Sequence, residues 1–87
     1  MTGKTSRSFW ECFGALPNNI QATAREKYRL WRRDHFHPSL HFKLVGERLW
    51  SVRITKEYRT LGRQKDELIV WFWIGTHEQY ERLIYMQ

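Results

Sequence analysis

The chain is predicted to be α+β, with two N-terminal helices packed on a three- to four-stranded antiparallel sheet and a short C-terminal helix. Three observations lead there. Apolar residues recur with a helical period of about 3.6 as far as Asp34 and with a period of about two from Leu40 onward. Seven consecutive apolar residues, Leu68 to Ile74, form a run too short and too rich in β-branched and aromatic side chains for a helix; with both faces apolar it reads as a central strand, closed by Gly75. The residues that follow, Thr76-His77-Glu78-Gln79, have the form of a capping box, in which the Thr76 and Gln79 side chains satisfy each other's backbone amides. A helix therefore starts directly at the end of the strand and carries His77 in its first turn.

In chain order, Thr5 or Ser6 caps a first helix whose Phe9, Trp10, Phe13 and Leu16 fall on one side and read as core. The chain begins directly with this helix, and Pro17 ends it. Asn18 or Asn19 caps a second helix reaching about Asp34, with Ile20, Ala24, Tyr28 or Lys27, and Trp31 as its apolar stripe. Its outer face carries Arg25, Lys27, Arg29, Arg32 and Arg33, crowded toward the end where cations complement the helix dipole. His35, His37 and His41 flank Pro38; with no cysteine nearby and Asp34 the closest carboxylate, this segment reads as a loop entering the sheet rather than a metal site. An extended piece from His41 to Val45 turns at Gly46-Glu47. Strands over Leu49–Thr55, Tyr58–Gly62 and Glu67–Ile74 then form an antiparallel meander. Trp50, Val52 and Ile54 face the helices; Leu49, Ser51, Arg53 and Thr55 face away. Arg59, Leu61 and Arg63 share one face of the next strand, and the register that would match it to Arg53 is open. His77, Tyr80 and Glu81 are neighbours on the last helix, with Leu83 and Ile84 packing back.

Eighty-seven residues make one domain, and five Trp, five Phe and four Tyr supply the large side chains that so small a core requires. The lone Cys12 excludes an internal disulfide and points to a reducing compartment. No signal-peptide pattern is present and the longest apolar run is far short of the roughly 20 residues of a membrane helix, so a soluble cytoplasmic protein with no membrane contact is expected. The net charge of +6 is uneven: residues 35–65 carry seven basic and two acidic side chains, residues 66–87 one and four. That excess suits a polyanionic partner, nucleic acid or an acidic protein, and equally a solvated surface.

One constellation carries chemistry. A helix start disfavours imidazolium, so His77 is placed to accept a proton, and the same terminus offers free amides to a phosphate oxygen. Cleavage of a phosphodiester by its own 2′-hydroxyl needs a base, cations at phosphorus and an acid for the leaving oxygen. His77, Arg53 and Arg59, with Tyr80 as stacking platform or proton donor, cover those roles without a metal or other cofactor. Lys43, Arg48, Lys56 and Arg63 are the remaining basic candidates for RNA binding. On spacing alone, His77 is equally a surface residue, the two arginines a solvated sheet face and Tyr80 core.

The order helix, Leu-Pro, basic helix, His37-Pro-Ser-Leu-His-Phe-Lys43, Trp50-Ser-Val-Arg-Ile54, Tyr58-Arg59 and Trp71-Phe-Trp-Ile-Gly-Thr-His77 resembles the RelE/ParE superfamily of bacterial type II toxins, near its RelE, HigB and YafQ-like members. The resemblance runs from Phe9 to Leu83. It implies a RelE-like, microbial-ribonuclease-like fold and a ribosome-dependent mRNA endoribonuclease, silenced by a cognate acidic antitoxin in a toxin–antitoxin hetero-oligomer. By position, Arg53 and Arg59 match residues that hold the scissile phosphate, and His77 matches a proton-transfer histidine. A second basic sheet position falls on Ser51, the family's N-terminal strand has no counterpart, and Tyr80 is the nearest candidate for a late tyrosine. The resemblance also covers ParE-type toxins that poison DNA gyrase through protein contacts, and inactive members.

Overall fold

The computed structural model describes residues 1–85. Its elements are β1 (Thr2–Thr5), α1 (Arg7–Gly14), α2 (Asn18–Arg33), a short 3-10 turn (Pro38–Leu40), β2 (Lys43–Gly46), β3 (Leu49–Thr55), β4 (Tyr58–Lys65), β5 (Leu68–Thr76) and α3 (His77–Tyr85). The predicted α+β architecture is present, with two corrections to the sheet. It has five strands in the order β1-β5-β4-β3-β2, and it is mixed, because β1 pairs parallel with β5. The N-terminal strand therefore exists. Thr-Gly-Lys-Thr has no apolar residue to reveal it; backbone pairing makes the strand, extended by bonds from the Thr2 amide to the Glu67 carbonyl and from the Ser6 amide to the Trp71 carbonyl.

Ser6 caps α1 by accepting the Phe9 amide. The expected asparagine cap of α2 is absent. Pro17 holds the cap position, its carbonyl accepts the Ile20 and Gln21 amides, and the Gln21 side chain donates to the carbonyls of Phe13 and Leu16. Ile20, Ala24 and Trp31 are buried as the helical period requires. β2 begins at Lys43, and β5 runs through Gly75 to Thr76.

The sheet has a core on each face. Phe13, Ala24, Trp31, Leu40, Phe42, Val52, Ile54, Ile69, Trp71 and Ile74 join it to α1 and α2. Leu49, Leu61 and Tyr80, flanked by Phe72 and Trp73, join the other face to α3. β5 serves both cores through a bulge. Gly62 pairs with Trp71 and Leu61 with Trp73, so Phe72 is the extra residue; Trp71 and Ile74 point to α1 and α2 while Phe72 and Trp73 point to α3. The bulge carbonyls are satisfied from neighbouring elements, Ser8 Oγ donating to Phe72 and Thr60 Oγ1 to Trp73.

Trp31 is the centre of the larger core. It stands at right angles to Trp71 with ring centroids 5.3 Å apart and stacks on His35 at 4.2 Å. His35 in turn meets the carbonyls of Trp31 and Met1 through its two ring nitrogens, and His37 bonds Ser39, so these histidines are occupied in shaping the chain around α2. β1 crosses over the two indoles at Gly3, where a Cβ would lie 2.7 Å from the Trp31 ring and 3.1 Å from Trp71 Nε1. Gly3→Ala should therefore cost about 1–3 kcal/mol through overpacking, whereas Gly14→Ala, whose Cβ meets nothing within 4 Å, should be neutral or stabilising by up to about 1 kcal/mol. Urea unfolding midpoints of the two variants check the contrast.

Candidate functional site

The register left open by the sequence places the candidate residues in rows. Arg53 pairs directly with Arg59, and Arg59 with Gly75. Directly paired residues share a face, and this is the face covered by α3. One row along, Lys43 pairs with Ser51 and Ser51 with Leu61; beyond them Leu49 pairs with Arg63. Successive rows on one face are about 7 Å apart. Arg53, Arg59 and His77 thus lie together at one end of the sheet, with Lys56 in the adjoining β3–β4 turn. Lys43 is one row away on the edge strand. Arg63 lies at the far end of β4, its guanidinium over Phe72, and Arg48 sits in the β2–β3 turn.

His77 is fixed by its backbone. The capping box forms as predicted, with the Thr76 amide donating to Gln79 Oε1 at 3.0 Å and the Gln79 amide to Thr76 Oγ1 at 3.2 Å. In addition, the His77 amide donates to the Glu57 carbonyl at 2.7 Å, tying the helix start to the β3–β4 turn. These bonds correct one expectation: three amides around the helix start are already occupied, so the terminus is not an open cradle for phosphate. Gly75 permits this packing, since a Cβ there would lie 2.5 Å from the Trp73 ring and 2.6 Å from Gln79 Oε1. The His77 side chain is 40% exposed, and its Nε2 faces Glu81 Oε1 at 3.4 Å. Glu81 was visible in the sequence only as an i,i+4 neighbour and carried no role there.

The anion-attracting part of the site is the arginine pair. Arg59 Nη1 donates to the carbonyls of Thr55, Lys56 and Tyr58, which holds the guanidinium against the turn. Burial first, and then the charge of Arg53, push the Arg59 guanidinium below its ordinary value, while Tyr80, Glu57 and Glu81 act the other way. Arg53 has no ion-pair partner among the described residues. Two like charges held across a strand pair, one of them unpaired, form a surface that a phosphate would neutralise at two points.

Tyr80 is only 6% exposed and packs with Leu49 and Leu61. A ring so placed anchors α3 and has no open face on which a base could stack, so the stacking role expected of it is withdrawn. Ser51 is buried as well, which explains a small residue in the row between Lys43 and Leu61. Among the described residues no group of His, Cys, Asp and Glu is arranged to hold a metal ion.

Residues 18–82 match the family model of the ParE-like toxin domain. The chain belongs to this toxin family. Solved structures of similar shape include the RelB–RelE antitoxin–toxin complex of Methanococcus jannaschii, with a TM-score of 0.73 at 10% identity over 91% of this chain and 95% of that one. A mutant of Escherichia coli RelE in the free state gives 0.69 at 15% identity over 98% and 90%. The toxin–antitoxin complex RelBE2 of Mycobacterium tuberculosis gives 0.67 at 24% identity over 87% and 96%. Identities this low establish the shared fold. No curated protein matches the toxin closely.

The repulsion between Arg53 and Arg59, second to burial among the influences on Arg59, has a measurable sign in this toxin. Lowering of the Arg59 value means that folding disfavours its charged form, and that cost is present throughout the physiological pH range, below the guanidinium's own titration. Arg53→Gln should therefore raise stability, by up to about 0.5 kcal/mol, the size of an exposed charge interaction. Urea unfolding at low and high salt checks it, since screening should erase the difference.

Proposed function

We propose that the toxin is a metal-independent endoribonuclease acting on mRNA at the ribosome, and that His77, Arg53 and Arg59 are its working residues. The observation that carries this reading is the placement of an accessible imidazole, fixed at a helix start, at the same end of the sheet as the Arg53–Arg59 pair, whose Arg53 has no ion-pair partner among the described residues. In this scheme both guanidinium groups bind the non-bridging oxygens of the scissile phosphate. Lys56 and Lys43 extend the cationic track, Lys43 supplying charge next to Ser51, and Arg63 and Arg48 meet the strand further along. His77 takes the proton of the 2′-hydroxyl. The 2′-oxygen bonds to phosphorus as the bond to the 5′-oxygen breaks, and the leaving oxygen takes a proton from water. The products are a 2′,3′-cyclic phosphate and a 5′-hydroxyl. Glu81 holds Nε2 of the imidazole and leaves Nδ1 for the substrate. Tyr80 contributes by anchoring α3.

The excess of basic residues on this face supports a cognate acidic antitoxin as the partner that silences the toxin, in the manner of the structural neighbours solved with their antitoxins. A second reading is favoured by the ParE-like description of the family: inhibition of DNA gyrase through protein contacts, with no RNA chemistry.

His77→Ala should lower RNA cleavage by about 10²–10⁴-fold and abolish growth arrest, with the circular dichroism spectrum unchanged. Glu81→Gln should cause a smaller loss. Primer extension on cellular mRNA after induction distinguishes the two readings. Cuts at codon boundaries are expected for the nuclease; intact mRNA together with blocked gyrase supercoiling would replace it with the ParE-type reading.

A further inference from the structure

On the sheet face opposite the His77 site, α1 and α2 leave between them a cavity of about 390 Å³. Its floor and walls are apolar, with Phe9, Phe13, Ala24, Trp31, Val52 and Trp71 prominent. The sequence reads the aromatic stripe of α1 as core. The structure leaves Trp10 45% exposed at the cavity margin instead, its indole N–H donated to Thr5 Oγ1.

The polar lining has one sign. Lys4, Arg25, Lys27 and Arg29 contribute to it and, among the described residues, no carboxylate does. Arg25 is the best defined of these cations. Its guanidinium lies 4.9 Å from the centroid of Phe13 and 5.6 Å from that of Trp10, and no described carboxylate pairs with it. Aromatic faces hold the group in place without neutralising it. The indole N–H groups of Trp31 and Trp71, both wall residues, are also buried without an acceptor among the described residues. An apolar cavity of this size with a few cationic groups on one side has the composition of a small-molecule site.

We propose that this cavity binds a small organic carboxylate with an apolar body, of the class of a medium-chain fatty acid, with its carboxylate on Arg25 and its hydrocarbon against the accessible parts of Phe9, Trp10 and Tyr28, over the edges of Phe13 and Ala24. Charge selects the occupant: a neutral or cationic amphiphile of the same length gains the same apolar contact and loses the guanidinium. The site is distinct from the His77 cluster, lies across the sheet from it, and stands whether or not the toxin cleaves RNA.

The test titrates the purified full chain with decanoate, decanol and decyltrimethylammonium, all below micelle formation, and follows the five tryptophan indole N–H signals by 15N NMR. Saturable binding of decanoate is expected, with shifts of the Trp10, Trp31 and Trp71 signals and none at Trp73 on the other face. Arg25→Gln should weaken decanoate at least tenfold and bring it level with decanol, while Ala24→Leu, which narrows the cavity, should weaken both ligands; circular dichroism verifies that each variant is folded. Absence of saturation, shifts centred on Trp73, equal binding of the cationic amphiphile, or an unaltered affinity in folded Arg25→Gln would each overturn the proposal. So would a cavity that answers only to a partner protein's apolar side chains and not to decanoate.

Discussion

The structure depends on the single extra residue in β5. A regular strand alternates sides, and the seven apolar residues from Leu68 to Ile74 would then place Trp71 and Trp73 on one face and Ile74 on the other. With Phe72 bulged, Ile69, Trp71 and Ile74 fall in the core under α1 and α2, and Phe72 and Trp73 fall under α3. The same shift of phase puts Gly75 on the α3 face, opposite Arg59, so that the chain leaves the strand beside the arginine pair. β1 stops pairing at Trp71, the residue before the bulge, and α1 starts there, with Ser8 bonding the Phe72 carbonyl that the ladder gives up. The end of the N-terminal strand, the seat of the first helix at Ser8 and the side of the sheet on which His77 emerges are thus all tied to one local irregularity.

That irregularity was invisible in the sequence for a simple reason. A bulge is read from a break in alternation, and in a run where every residue is apolar there is no alternation to break. The helices, the meander and the capping box were legible because each has its own chemical signature: the spacing of Ile20, Ala24 and Trp31, the turns between strands, and the reciprocal side chains of Thr76 and Gln79. β1 was not, because edge pairing asks nothing of its side chains. At the site, the three residues His77, Arg53 and Arg59 could be named from the sequence, whereas their being neighbours required the register of β3 on β4. Glu81 and the occupied amides depend on how α3 seats against the β3–β4 turn, and the role of Tyr80 depends on its burial against Leu49 and Leu61, neither of which spacing alone determines.

The two faces of the sheet solve different problems. The core under α1 and α2 holds the larger set of buried apolar side chains, and with it the larger part of the hydrophobic driving force. The α3 face has a smaller core and carries the like charges of Arg53 and Arg59, which oppose folding. Placing the electrostatic cost on the lightly packed face keeps it in contact with water, where its magnitude is limited. The aromatic framework on the other face can then tolerate an open cavity beside Trp31.

This division also determines what holds the candidate catalytic group. α3 is amphipathic and short, and by Tyr85 its side chains are largely exposed; an isolated helix of this length is marginal in water. His77 does not depend on the whole helix, however. The Thr76–Gln79 pair and the bond from the His77 amide to Glu57 all act at its first turn, and Tyr80 enters the core one turn later. Fraying from the C-terminal end would therefore reach Leu83 and Ile84 before it reached Tyr80. The imidazole stays registered to the β3–β4 turn, and so to Arg59, whose guanidinium is bonded to carbonyls of that same turn. The two halves of the site share one anchor, so their separation is set by a hairpin of the sheet and not by the packing of the last helix.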